Sequence, residues 1–476
     1  MQSIVTLPAP GAYSLRTWLY LSVLLLLIGA CAPQVPRQAS PVQLQEAGFS
    51  TTGQTPLPQK WWMTFQDEQL DQLVEQALAD NFSLQSAWDR LDRARATARK
   101  AGAELFPQLD GEAGYITSRS SNNSRTRSSH NYSLGLVASY EIDLWGRIRS
   151  TKDAAELDAH ASAEDLQTAA LTLSAQVAKT WFQLLEQQGQ IEILQQQLEI
   201  NQKTQELISL QVRTGQVGIA DLLQQRQLTE SRRGELALAA GRAQVLRNQL
   251  AILLGLPPDR APQLMSGNLG KLPPLPETGL QSHLLERRPD VRAAWLQMQS
   301  ADQLVAAAVA DRFPRLSLLG RASTEDQSIE DLFDDWLASL AANLVAPLID
   351  GGRRKAEVDR TRALAAEALH AYGQTVLEAL AEVEDALTQE QQQVKFLASI
   401  NQQLLLAEQA IERIRDRYLN GAEDYQRVLG AVLSKQVLQR TQLSARRELF
   451  ENRVNLCQAL AGGWELTRIA TTPLSR

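Results

Sequence analysis

Two short interruptions in otherwise helical sequence constrain this chain most: RTGQVGIADLL at Arg213–Leu223 and RYLNGAEDYQRVL at Arg417–Leu429. In each, a heptad-patterned segment arrives, glycine breaks it, and a polar-rich helical pattern departs. Gly215 and Gly421 stand 206 residues apart, and Gly146-Arg147 and Gly352-Arg353 share that offset. Phe106-Pro107 and Phe313-Pro314 are 207 apart. A period near 200 residues is too long for solenoid repeats of roughly 20–50 residues. The chain is a tandem duplication of one long unit.

The heptads sustain long helices. Ala170, Val177, Leu184, Ile191, Leu198 and Val212 keep seven-residue spacing, interrupted only at Gln205. Val376, Val383, Leu397, Leu404, Ile411 and Tyr418 repeat it, interrupted at Glu390. Such spacing predicts coiled-coil packing. A helix from Ser150 to Val212 spans about 90 Å at 1.5 Å per residue, too long for an ordinary globule. An Ala, Leu, Gln, Glu and Arg-rich composition with 5% aromatics agrees. A net charge of −7 offers no basic surface for nucleic acid.

Before each long helix the period changes to two. Tyr132, Leu134, Leu136, Ala138, Tyr140 and Ile142 alternate with small, polar or acidic residues. A half-buried antiparallel strand gives the same alternation. The length of about ten residues and the aromatics near both ends fit a transmembrane barrel strand. Strands are expected at about 108–118 and 131–143, joined by the polar loop SRSSNNSRTRSSHN, and at about 314–323 and 336–346, joined by an acidic loop. Four strands cannot close a barrel, and an open edge cannot survive in lipid. Several chains must contribute to one barrel; two or three are both compatible with closure.

The N-terminus reads as a signal peptide over residues 1–30. A short apolar block, Trp18–Ala30, follows Arg16 and precedes Cys31; it is too short to span a membrane. Ile28-Gly29-Ala30-Cys31 resembles a bacterial lipobox. The resemblance implies that Cys31 carries N-acyl and S-diacylglycerol lipid, and Ala32 directs the anchored protein to the outer membrane. Cys457, the remaining cysteine, has no intrachain partner and reads as core.

Residues 31–66 form an extended lipidated segment, 67–256 the first repeat, 257–282 a Pro/Gly-rich linker, 283–464 the second repeat and 465–476 a tail. The first repeat opens with a helix from about Asp67 to Leu105. No catalytic or metal constellation appears: the four histidines are far apart, and there is no GxSxG, phosphate loop or zinc motif. Few methionines remain for copper. A structural coiled-coil lipoprotein is disfavoured by the two strand pairs.

Together, YEIDLWGRIR (Tyr140–Arg149), LERRPDVRAA (Leu285–Ala294), APLIDGGRR (Ala346–Arg354), the two Phe-Pro turns and both glycine tips resemble the TolC-like outer-membrane efflux lipoproteins, the NodT-type outer membrane factors of tripartite multidrug pumps. The resemblance covers nearly all of the mature chain. It implies a mainly α fold with transmembrane β-strands. It also implies a homotrimer whose chains give four strands each to a twelve-stranded barrel in outer-membrane lipid, and whose helices form a periplasmic α-barrel. Its partners would be a periplasmic adaptor protein and an inner-membrane transporter of the resistance-nodulation-division class. The duct itself does no chemistry; service to an ATP-driven protein exporter is the alternative.

At the tips, Gly215 and Gly421 would permit the tight turns, and Val217, Gly218 and Ala422 would leave room for an adaptor hairpin. Asp221 matches a family aspartate that hydrogen-bonds toward Tyr418 as a periplasmic gate. Where some members place pore-narrowing aspartates, this chain has Arg427 and Gly430, with Glu423 and Asp424 earlier. Asp424 could form a carboxylate ring, or Arg427 neutralise it.

Overall fold

The structure, a computed structural model, describes residues 48–122, 125–262 and 267–468. Cys31 and the signal segment lie outside the described residues. The helices are α1 (Glu68–Asp80), α2 (Phe82–Ala103), α3 (Arg147–Arg213), α4 (Ile219–Leu253), α5 (Gln281–Arg287), α6 (Pro289–Ala310), α7 (Arg353–Leu419) and α8 (Tyr425–Leu460). The strands are β1 (Gln108–Asn122), β2 (Arg125–Ile142), β3 (Arg315–Asp326) and β4 (Trp336–Val345). The chain forms two compact units, each drawn from both halves of the sequence.

One unit holds the strands as a single antiparallel sheet in the order β1-β2-β3-β4. Facing residues in an antiparallel pair point to the same side. Leu136 stands opposite Gly111 and Ala322, Tyr140 opposite Leu318, and Leu318 opposite Ala342. The apolar positions of all four strands thus share one face. Both hairpins are longer than their hydrophobic runs predict. The stretch expected as a polar loop is largely ladder, with Ser118 facing Ser129 and their hydroxyls 2.7 Å apart. Glu325 and Asp326 of the expected acidic loop belong to β3. Backbone pairing continues past the apolar stretch because polar side chains do not oppose it where water is available.

The strand-to-helix elbows are built from the motifs. Gly146 takes φ +79°, and the Asp143 carboxylate accepts from the Ile148 and Arg149 amides at 3.1 and 2.9 Å, capping α3. Arg147 clasps Glu141 through both carboxylate oxygens. At the second elbow Asp350 accepts from the Gly352 and Arg354 amides. Arg354 reaches the Asp311 carbonyl at 2.8 Å.

The other unit contains the main core. Trp61, Trp62 and Phe65 pack with Phe182, Phe450 and Trp464, the Trp62 and Trp464 rings edge to face at 5.1 Å. Asp67 caps α1 and accepts from the Trp181 indole at 2.7 Å. The single helix expected over 67–105 is instead two, because Asn81 ends α1, caps α2 through its Oδ1 and donates to the Leu253 carbonyl. The linker does not hang free. Residues 48–55 bridge to Pro276 and Leu280, and Gly53 lies so close to the Leu275 carbonyl that a Cβ would collide with it at 1.8 Å. Arg453 donates to the Pro273 and Pro274 carbonyls and pairs with Glu390. Cys457 is buried beside this junction, and burial pushes its thiol up to about 12. Arg468, in the tail, reaches Asp89 and Asp92.

The coiled-coil seam departs from the expected heptad in α3. Ala170, Val177 and Leu184 are buried as expected. Beyond them the buried positions are Leu185, Glu186, Gln190, Leu194, Gln197, Asn201 and Ile208, while the expected Ile191 and Leu198 are only half-buried. A straight helix drifts about 20° per heptad from a 3.5-residue repeat. Gln190 and Gln197 each donate to a carbonyl of α8, which offsets the cost of burying their amide nitrogens. In α7 the interrupting Glu390 is buried too, held by Arg453 at 2.8 Å.

Candidate functional site: the paired helical tips

Both tips are built by the same backbone device. After α3, the Gly215 amide donates to the Val212 carbonyl and the Gln216 amide to the Gln211 carbonyl, at 3.1 and 2.9 Å. After α7, Gly421 donates to Tyr418 and Ala422 to Arg417, at 3.0 and 2.9 Å. These are Schellman caps, which need a left-handed residue just past the helix. Gly215 and Gly421 supply it at φ +72° and +73°. The return helices start differently. Gly218 caps α4 with no side-chain bond, whereas its counterpart Asp424 accepts from the Arg427 amide at 2.9 Å.

Beneath the turns lies a small core of Ile208, Leu222 and Tyr425, joined by Val212, Val217, Tyr418 and Leu429. The Tyr418 and Tyr425 rings are 6.1 Å apart at 60°. The Tyr425 hydroxyl donates to Gln225 Oε1 at 2.6 Å, and Gln225 Nε2 donates to the Asn201 carbonyl at 2.8 Å. Burial pushes the Tyr425 phenol up to about 12, with the charges of Tyr418 and Asp221 adding to it. The two tips are therefore stitched together within one chain.

The structure brings some of the expected gate residues together. Glu423 lies between Arg417, at 3.1 Å, and Arg427, at 3.8 Å. Arg427 thus sits beside Glu423, while the Asp424 carboxylate caps a helix. Val217 and Tyr418 share the small core. Asp221 lies in the first turn of α4, its amide reaching the Gly218 carbonyl at 3.3 Å. Among the described residues no hydrogen bond joins Asp221 to Tyr418 within the chain. A Cβ at Gly215 or Gly421 would meet nothing within 4 Å, and beside Gly218 only the Ala220 amide and the Asp221 carboxylate come as near as 3.9 Å. Ala422 is exposed.

Tyr425, Gln225 and Asn201 escaped the sequence reading, and with them a polar seam that runs back from the tip. Gln197 donates to the Gln436 carbonyl at 3.2 Å, and Arg232 Nε to Gln436 Oε1 at 3.1 Å. Arg232 and Arg440 converge on Glu235. Burial alone would raise the Glu235 pKa, but hydrogen bonds and charge from the two arginines hold it below the usual carboxylate value. Farther along, Glu186 accepts from Gln190 and Ser444, at 3.0 and 2.8 Å. The available signal was the run of Gln and Asn at coiled-coil spacing. Among the described residues no group of three or more His, Cys, Asp or Glu is placed to hold a metal, and no helix is long and apolar enough to cross a membrane.

The model of the family described as outer membrane efflux protein matches residues 73–256 and 280–462. The chain is 33% identical to the pyoverdine export outer membrane protein OpmQ of Pseudomonas putida, covering 94% of this chain and 96% of that one. It is 30% identical to the toluene efflux pump outer membrane protein TtgI of Pseudomonas putida, over 93% of this chain and 98% of the other. It is 28% identical to the cation efflux system protein CusC of Escherichia coli, over 93% and 98%. Among solved structures, the outer-membrane channel OprN superposes with a TM-score of 0.83 at 27% identity, over 91% of this chain and 98% of that one.

Proposed function

The chain belongs to the outer membrane efflux protein family, and from that premise we propose that it is the exit duct of a tripartite pump that exports small toxic molecules. As a member it is an outer-membrane efflux channel with a TolC-like, mainly helical fold, and not an enzyme. The observation that carries the duct reading is the sheet: four strands with one apolar face and two unpaired edges, β1 and β4. In lipid those edges demand partners. Three copies give a twelve-stranded barrel. The Cys31 lipid would anchor each copy beside it.

Export of small molecules rather than proteins is supported by the relatives, whose names give pyoverdine, toluene and cations as what they export. The tips would receive a periplasmic adaptor, and through it an inner-membrane transporter. Loss of the gene should sensitise cells to several unrelated toxic compounds, and purified protein should form trimers with ion conductance. A monomer that does not conduct in bilayers would sink the reading. Mass spectrometry of the mature N-terminus tests the anchor: an unmodified Cys31 rules it out.

A latch between Asp221 of one copy and Tyr418 of the next belongs to the same proposal. Asp221→Ala and Tyr418→Ala should each raise single-channel conductance. Unchanged conductance in both would leave the tip a docking surface only.

A further inference from the structure

The ladder gives every strand residue one of two faces, and charge is gathered on one of them. Directly opposed residues share a face. Over the stretch of the sheet level with Tyr132–Ile142 of β2, the face of Leu109, Leu136, Leu318 and Leu340 holds a single charged residue, Asp326 at its outer end. Over the same stretch the alternate face holds Asp110, Glu112, Glu141, Arg321 and Glu325. Arg147 neutralises Glu141. What remains on that face is Asp110, Glu112 and Glu325 against Arg321.

Arg321 of β3 reaches diagonally over β2 to Glu112 of β1, Nη2 to Oε2 at 3.4 Å. It passes beside Gly135, which stands opposite both Glu112 and Ser323. A Cβ at Gly135 would come within 3.2 Å of the Ala322 carbonyl oxygen and of Ser323 Cβ, and glycine leaves no side chain between the two charged groups. Asp110 lies in the row of Val137 and Arg321, and among the described residues it has no cationic partner. Glu325 accepts from the Asn131 amide at 3.4 Å. The Arg321 and Glu112 side chains are 56% and 55% exposed. A pair so open to solvent adds little stability, and its charge acts on what passes it.

With the apolar face in lipid, the charged face lines the water-filled interior of a barrel. We propose that Asp110, Glu112, Glu325 and Arg321 set the ion preference of the duct from inside its barrel. The carboxylates favour cations, and Arg321 limits that preference by neutralising Glu112. The inference rests on the duct reading and deepens it by naming where the duct discriminates charge. The helical tips offer less for this task, because Glu423 lies between Arg417 and Arg427 and Asp424 caps a helix. Charged side chains repeated by each chain form rings around a pore. Their field reaches about 10 Å at 0.1 M salt and about 3 Å at 1 M, so the preference for cations should weaken as salt rises.

The test is the reversal potential of the full-length protein in planar bilayers under a KCl gradient, read as the permeability ratio of potassium to chloride. The wild type should favour potassium, more so at low salt. Asp110→Asn with Glu112→Gln leaves Glu325 against Arg321 and should bring the ratio toward unity, whereas Arg321→Gln should raise it above the wild-type value. Ser339 shares the row of Arg321, and Leu340 lies on the other face. In assembled channels Ser339→Cys should react with a cationic methanethiosulfonate and lower the ratio, and Leu340→Cys should not react; the native Cys457 is buried. This labelling decides the face assignment even where the double variant does not assemble. A wild type that prefers chloride, or a conducting channel whose ratio is the same in both variants as in the wild type, overturns this inference and leaves the duct reading standing. Labelling at Leu340→Cys instead of Ser339→Cys overturns it as well. Protein that forms no channel overturns both.

Discussion

Tyr425 concentrates the chemistry of the tip. Its ring completes the small core and its hydroxyl supplies the only partner of Gln225 Oε1 among the described residues. Tyr425→Phe keeps the ring but leaves that buried oxygen without a donor, at a cost of about 1–3 kcal/mol. Amides in both tips should lose hydrogen-exchange protection, and unchanged protection would show that the bond contributes nothing. The folded phenol lies above its ordinary value, at about 12. Its contribution is therefore complete below about pH 10 and is lost as pH rises toward the folded value.

Among the elements, the two glycine turns use a left-handed backbone that glycine adopts without strain and other residues do not. Gly215→Ala and Gly421→Ala place a Cβ in open space, so the cost is that of a left-handed non-glycine residue alone, about 1–2 kcal/mol each. Gly430, inside α8 and equally unhindered, behaves oppositely: Gly430→Ala should stabilise by about 0.5–1 kcal/mol. Denaturation midpoints of the three variants read the contrast directly. A shared sign would mean that helix propensity, not turn geometry, controls these positions. The polar seam belongs to this scale as well. Gln190 and Gln197 are buried where α8 offers carbonyls opposite them, and the Asn201 carbonyl accepts from Gln225 of α4. Such pairs fix register between helices more than they add stability.

At the scale of the whole chain, Arg453 ties the linker between the halves to the second repeat. Its side chain is 3% exposed and that of Glu390 9%, and the guanidinium also serves two linker carbonyls. Arg453→Met leaves Glu390 buried without its partner and should destabilise by about 3–5 kcal/mol. The double variant Arg453→Met with Glu390→Met should recover much of that loss, read as the denaturation midpoint. A double variant no better than the single would show that the linker carbonyls, not the ion pair, need the arginine.

The sequence by itself determined the elements and their repetition. Glycine at the tips, proline before the strands, alternation in the strands and heptads in the helices are local signals, set by backbone geometry and side-chain period. They were legible without partners. Tertiary structure decided what those signals leave open. It decided which face of α3 is buried after Leu184, because the side-chain amides of Gln190 and Gln197 are buried where α8 offers them carbonyls. It placed Arg427 against Glu423 and made Asp424 a cap, and it set Tyr425 on Gln225 across the two halves. It also ordered the strands so that the Trp145 indole stacks on Phe313 while Leu348 and Ile349 stay exposed. Each of these depends on which segments become neighbours, and in a duplicated sequence identical local signals cannot distinguish a neighbour in the same chain from one in the next.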